Sequence, residues 1–298
     1  MIQGDKAIEI NHLTKYFGVG KKQVKAVDDI SFSVPRGEIF GFLGKNGAGK
    51  TTTIRCMMNF IRSTNGGIYL LGKDAQKDAV DLKNEVGYLS GNVTLYKNMT
   101  GYEHIEYLSN INSSKLIADV LIERLDFDPS IKAKHLSSGN RQKLGIVLAL
   151  MHNPHLIILD EPTNALDPLL QQTVYDLLKE ARSNGATIFM SSHNLKEVEQ
   201  ICDSVAIIKE GRLVATESIA SLSRKHLYTV KARFSKKIDF AHFQVMHATC
   251  EIKDDTNVVF NVKGEIAPVL RELSAFPLED IEIHHASLEE IFMEYYQN

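Results

Sequence analysis

The chain has 298 residues, 44% hydrophobic and 24% charged, with a formal net charge of −3. That is the balance of an ordinary globular protein, long enough for one large domain and a smaller one. The slight acidity gives no support for nucleic acid as a main partner, which would favour a basic surface. Three scattered cysteines (Cys56, Cys202 and Cys250) argue against a disulfide scaffold or zinc site and suit a reducing cytosol.

In chain order, Met1-Ile2-Gln3-Gly4-Asp5-Lys6 lacks the apolar core of a signal peptide. Residues 7–10 and 30–34 are predicted as early strands, and residues 38–43 as a buried strand. That strand runs into Gly44-Lys45-Asn46-Gly47-Ala48-Gly49-Lys50-Thr51, which fits G-x-x-x-x-G-K-[ST]. Small residues let such a loop turn its N–H groups onto a polyphosphate. Lys50 would reach the β- and γ-phosphates, and the Thr51 hydroxyl would hold Mg²⁺. Thr52 and the residues to 58 read as a helix whose N-terminus faces the anion.

Between about residues 95 and 150 the pattern turns helical. Thr100-Gly101-Tyr102-Glu103 is a capping box, and Ile105, Leu108 and Ile111 follow at helical spacing. Leu136-Ser137-Ser138-Gly139-Asn140 then precedes an apolar helix. The best apolar run of the chain, residues 146–151, is too short to span a bilayer, so any membrane role is expected to come through a partner. Residues 156–159 form a buried strand ending in Asp160-Glu161. Triphosphate chemistry uses such a pair, Asp160 to bind Mg²⁺ through water and Glu161 to polarise the attacking water. A further buried strand, 187–191, leads to His193. Strands and helices alternate to about residue 215, as in an α/β fold with a largely parallel sheet.

Past Ser221 the composition changes. Tyr228, Val230, Ala232 and Phe234 alternate with polar residues as a half-buried strand. Residues 257–262 and 281–285 read as strands and 265–276 as a helix. Ser287-Leu288-Glu289-Glu290 is a second capping box opening a final helix. The order suggests a small α+β appendage of ferredoxin-like type.

With the Ser137–Gly139 segment about twenty residues before Asp160-Glu161, the chain resembles the ATP-binding subunits of ABC transporters, whose signature reads Leu-Ser-Gly-Gly-Gln. Ser137 and Gly139 match; Ser138 and Asn140 depart. Ala165-Leu166-Asp167 resembles the family's D-loop, His193 its switch histidine at the γ-phosphate, and Phe17 its adenine-stacking aromatic. Where the family usually has Pro and then Gln or Glu, this chain has Ser90-Gly91-Asn92. Either Asn92 substitutes, or the water and metal are held differently. The closing run from Ala286 to Phe292 resembles exporter-type ATPases that act with drug or antibiotic efflux permeases.

The resemblance implies a P-loop ATPase core over residues 1–220, with a helical subdomain at about 95–150, and an appendage over 221–298. It implies ATP and Mg²⁺ as ligands, with Glu161 and His193 in catalysis. Nucleotide contacts would fall to Phe17, the residues from Gly44 to Thr52, Ser137 and Gly139, and Mg²⁺ to Thr51 and Asp160. It further implies a dimer, with itself or a similar subunit, closing on ATP beneath an integral membrane permease at the inner face of the cell membrane. A soluble, ribosome- or DNA-associated ATPase of the same class is the alternative. Such chains usually carry two cassettes or a long coiled-coil insert, and neither is present. A GTPase is disfavoured because Thr14-Lys15-Tyr16-Phe17 does not meet the guanine motif.

Overall fold

A computed structural model of the chain describes residues 6–18, 23–112, 117–224, 227–238 and 248–285. The chain divides into two compact units, Met1–Thr216 and Glu217–Asn298.

The first unit holds two sheets. Strands β1 (Lys6–Phe17) and β2 (Val24–Pro35) pair antiparallel. With β4 (Asn65–Leu70) and β5 (Lys73–Asp74) they form a sheet of order β2-β1-β4-β5. These early strands therefore lie outside the parallel sheet that the alternating pattern suggests. Only residues 18–23 separate the first two, too few for the helical crossover that parallel pairing needs.

The second sheet carries the chemistry. It contains β3 (Ile39–Leu43), β6 (Val86–Leu89), β7 (Leu156–Asp160), β8 (Thr187–Ser192), β9 (Ser204–Lys209) and β10 (Arg212–Ser218), in the order β10-β9-β3-β8-β7-β6. The pairs β3–β8, β3–β9, β6–β7 and β7–β8 are all parallel. Every residue of β3, β7 and β8 is buried, which explains their continuous apolar runs. Phe32, Phe40, Phe42 and Phe189 stack with ring centroids 5.4–6.1 Å apart, joining the two sheets in one core. Aromatic pairs at such spacing add to the burial of their surface.

Helix α1 (Lys50–Met57) follows β3, and α2 (Ala79–Glu85) precedes β6. The helical stretch contains α3 (Gly101–Asn112), α4 (Ala118–Arg124) and α5 (Ser138–Leu150). The capping box before α3 is formed: Thr100 N–H donates to Glu103 Oε2 at 2.6 Å and Glu103 N–H to Thr100 Oγ1 at 3.2 Å. Helices α6 (Pro168–Ser183) and α7 (Leu195–Ile201) follow β7 and β8. No helix among the described residues is long and apolar enough to cross a membrane.

The second unit contains α8 (Ile219–Arg224), β11 (Leu227–Phe234), β12 (Ala248–Ile252), β13 (Asn257–Lys263), α9 (Ala267–Leu273) and β14 (Leu278–His285). Its sheet order, β12-β13-β11-β14, is antiparallel throughout and is that of a ferredoxin-like sheet. Val230, Phe234, Val258, Phe260 and Val262 pack against Val269 and Leu273 of α9. The alternation in β11 thus buries one face and leaves Lys231 and Arg233 outside. The second capping box, at residues 287–290, lies outside the described residues.

Candidate functional site

The parallel register brings the carboxyl ends of three strands together, the usual place for a ligand in an open α/β sheet. Leu43 pairs with Ser192, and Asp160 with Ser191. The phosphate loop therefore starts beside the strand ends that carry Asp160-Glu161 and His193. Gly44 N–H donates to Ser192 O at 3.2 Å, joining loop and β8.

The glycines of the loop answer to its surroundings. A Cβ on Gly44 would lie 2.6 Å from the Ile208 carbonyl oxygen. Gly49 has φ of +111°, and a Cβ there would meet the Ala26 carbonyl oxygen at 2.6 Å. A Cβ on Gly211, in the β9–β10 turn, would meet the same oxygen at 3.1 Å, and its N–H donates to Ala48 O at 2.9 Å. The loop is wedged from behind, between β2 and that turn.

Lys45, Asn46, Gly47, Gly49, Lys50, Thr51 and Thr52 line one wall of a cleft of about 390 Å³, within the range of small-molecule sites. Asp160, Glu161 and His193 line it too. Lys50 is buried, with its Nζ donating to Gly44 O at 2.6 Å and sitting 3.2 Å from Glu161 Oε1. Thr51 Oγ1 donates to Asp160 Oδ2 at 2.8 Å, and Ser191 Oγ donates to Asp160 Oδ1 at 2.6 Å. His193 Nδ1 lies 2.5 Å from Glu161 Oε2. Glu161 itself is left-handed, with φ of +53°. Few residues without a glycine's freedom adopt that conformation, and it turns the carboxylate away from the strand line. Its N–H is held by both Ser191 O and Ser191 Oγ, at 3.2 and 3.1 Å.

Phe17 stands apart, at the end of β1, exposed and with Lys15 Nζ 5.0 Å from its ring centroid. Ser137 and Gly139 are also outside the cleft. Ser137 is the N-cap of α5, its hydroxyl accepting from Asn140 N–H at 3.2 Å. A Cβ on Gly139 would come within 3.1 Å of the Ala165 carbonyl oxygen. One link joins this helix to the cleft: Gln142 of α5 donates from Nε2 to Pro162 O at 2.8 Å and to Glu161 O at 3.3 Å.

At the unusual Ser90-Gly91-Asn92 run, the backbone of Gly91 presses on the acidic strand end. A Cβ there would lie 3.1 Å from Asp160 Oδ2 and 3.3 Å from its Cγ. Tyr88, Ser90, Gly91, Asn92 and Arg55 complete the cleft wall on this side. Burial, and next the charge of Asp160, push the Tyr88 phenol above its ordinary value. Sequence reasoning missed Arg55, Tyr88, Ser191 and Gln142. Arg55 was findable, standing one helical turn beyond Thr51; the others depend on strand and helix packing.

The Thr51 hydroxyl and the Asp160 carboxylate are hard oxygen donors placed together, which suits Mg²⁺ beside a triphosphate. The N-terminus of α1 and the Lys50 ammonium suit its phosphates.

Comparison with known proteins agrees with this geometry. The ABC transporter family model matches residues 27–164. A bacitracin transport ATP-binding protein of Enterococcus faecalis is 33% identical over 277 residues, covering 90% of this chain and 88% of the relative. A solved ATP-binding subunit of an ABC transporter aligns with a TM-score of 0.67 and 29% identity, over 73% of this chain and 92% of that one. A dimeric cassette bound to ADP and phosphate, 20% identical, shares the fold with a TM-score of 0.66 over 71% of this chain and 98% of that one. The chain belongs to the ABC transporter family, as one of its ATP-binding, ATP-hydrolysing subunits.

Proposed function

We propose that this subunit powers export through a separate membrane permease, closing as a dimer on two ATP molecules. The observation that carries the proposal is a division within one chain. Lys50, Thr51, Asp160, Glu161 and His193 converge in one cleft, while Ser137 caps α5 and Gly139 lies in its first turn, outside the cleft. A second copy, placed head to tail, would offer its Ser137 hydroxyl and α5 N-terminus to the γ-phosphate. That a cassette of the same fold is dimeric supports pairing with a second copy.

In the hydrolytic step, water attacks the γ-phosphorus and the bond to the β–γ bridging oxygen breaks. Glu161 orients the water and accepts its proton. His193, against the other face of that carboxylate, holds it in place and reaches the γ-phosphate. Lys50 leaves Glu161 for the phosphates, whose charge is the stronger partner. Thr51 and Asp160 would hold Mg²⁺, which would supply neutralising charge to the phosphates. Closure by the γ-phosphate and opening after its loss make a two-state device for the permease.

The similarity to a bacitracin transport protein over most of its length supports export of an antibiotic-like cargo. The subunit would sit on the inner face of the membrane, and the appendage at 217–298 would be its own small domain. The experiment is co-purification from membranes with a polytopic partner, followed by ATP-dependent cargo movement in reconstituted vesicles. Transport by wild type that is absent in Glu161→Gln supports the proposal. A chain that hydrolyses ATP but recovers only with ribosomes or DNA would overturn it.

A further inference from the structure

Glu197 is a buried carboxylate, 3% exposed, that the hydrolytic step does not use. It lies on α7 among hydroxyl partners, Tyr175 and two residues that flank the catalytic pair. Ser192 Oγ donates to Oε2 at 2.5 Å, and Thr163 Oγ1 donates to Oε1 at 2.7 Å. Ser192 immediately precedes His193, and Thr163 stands two residues after Glu161.

The placement matters because of where the sheet stops. The β7–β8 ladder ends at the pair Asp160 and Ser191. Glu161 and His193 therefore belong to two turns that leave the sheet side by side, and Glu161 is in a strained left-handed conformation. The Glu161 turn is tied to the end of β8 by its N–H on Ser191 O. Gln142 holds the Glu161 turn from the side of α5. From the other side, Glu197 spans both turns at once.

We infer that Glu197 is a positioning residue, a two-armed brace that keeps the His193 imidazole on the Glu161 carboxylate and so keeps the attacking water aligned. A misplacement of about 1 Å at reacting groups is enough to cost roughly a hundredfold in rate. Burial raises the Glu197 carboxyl above its ordinary range, as expected of a group held for its hydrogen bonds rather than its charge.

This inference rests on the proposed roles of Glu161 and His193, so the test includes them. Full-length Glu197→Ala, Glu197→Gln and Glu161→Gln are compared with wild type. The readouts are turnover, affinity for a fluorescent ATP analogue, melting temperature and the ring-nitrogen NMR resonances of His193. Gln at 197 keeps an acceptor for Thr163 and offers an N–H to Ser192, so it should retain turnover within about threefold. Glu197→Ala should lose at least about tenfold in turnover with nucleotide affinity unchanged. It should also shift the His193 resonances, which Glu197→Gln restores. The brace is overturned by native turnover and unshifted His193 in Glu197→Ala, by equal loss in both variants, or by a loss matching the unfolded fraction. If wild type and Glu161→Gln hydrolyse ATP equally, the catalytic reading fails instead, and the His193 resonances still decide whether Glu197 holds that ring.

Discussion

Lys50 and Glu161 form an ion pair at 3.2 Å, although one serves the phosphates and the other the water. Lys50 is buried, so a triphosphate must draw its ammonium from a carboxylate rather than from solvent. Glu161→Gln removes that competition. We expect turnover to fall by about 10²–10⁴, the usual worth of a general base, while nucleotide binding tightens. Phosphate release and equilibrium titration with a fluorescent nucleotide measure the two effects. Parallel loss of both would show that Glu161 supports the loop rather than the water.

Lys50→Ala should have the opposite signature. Losing one partner of a desolvated charge contact costs on the order of 2–5 kcal/mol, so nucleotide affinity should drop well over tenfold. Glu161 and the carbonyls of Gly44 and Lys45 also lose a partner. The same titration checks it, and retained affinity would remove the loop as the phosphate site.

Gly91 stands beside Asp160 with little room for a side chain. A glutamine there, the residue usual in the family, must push on that carboxylate, because its Cβ begins 3.1 Å from Oδ2. Gly91→Gln should therefore weaken metal binding instead of improving it, by about tenfold as for other disturbed ligand supports. Metal-free nucleotide affinity should not change. Titration of Mn²⁺ with nucleotide, followed by electron paramagnetic resonance, reads the difference directly.

The Glu197 carboxyl is raised chiefly by burial, against its hydrogen bonds from Ser192 and Thr163, with Glu161, His193, Tyr175 and Cys202 as charged or titrating neighbours. A raised carboxyl gives stability that is fully present below its ordinary value of 4.5 and is lost as pH rises through the folded value. Glu197→Gln carries no such charge. Its melting temperature should gain on that of wild type as pH is raised from about 4 to 8. Parallel curves would mean that the carboxyl titrates as in the unfolded chain.

Asp167 starts α6, accepting from the N–H groups of Leu169 and Leu170, both at 3.0 Å, with Pro168 in the first turn. Asp167→Ala should cost about 1 kcal/mol of stability in urea denaturation. Nucleotide binding by the isolated subunit should be unaffected.

Much of the cleft was legible because phosphate chemistry imposes local spacing. The loop at Gly44 to Thr51 and the acids at the end of β7 are contiguous in sequence, and the all-buried strands show as apolar runs. What was not legible depends on groups brought together from distant parts of the chain. Glu197 looks like one more acid in the first turn of a short helix. Only the fold puts it under Thr163, 34 residues earlier in the chain. Gly91 reads as a missing side chain, whereas in space it is a close contact. The strand at Ala248–Ile252 also escaped notice, since it is a short edge strand with Cys250, Glu251 and Ile252 exposed, and its place is fixed by pairing with β13.

The glycines behind the phosphate loop have a further consequence, for the history of the chain. Gly49 is required by the Ala26 carbonyl whether or not a ligand is bound, and Gly211 shares that neighbour. A descendant that lost its nucleotide could replace Lys50 together with its ion-pair partner Glu161, giving up only the two carbonyl contacts of the ammonium. It would not be free to replace Gly49 without moving β2. The glycine would outlast the activity, so its presence in a relative testifies to ancestry, while the lysine testifies to a working motor.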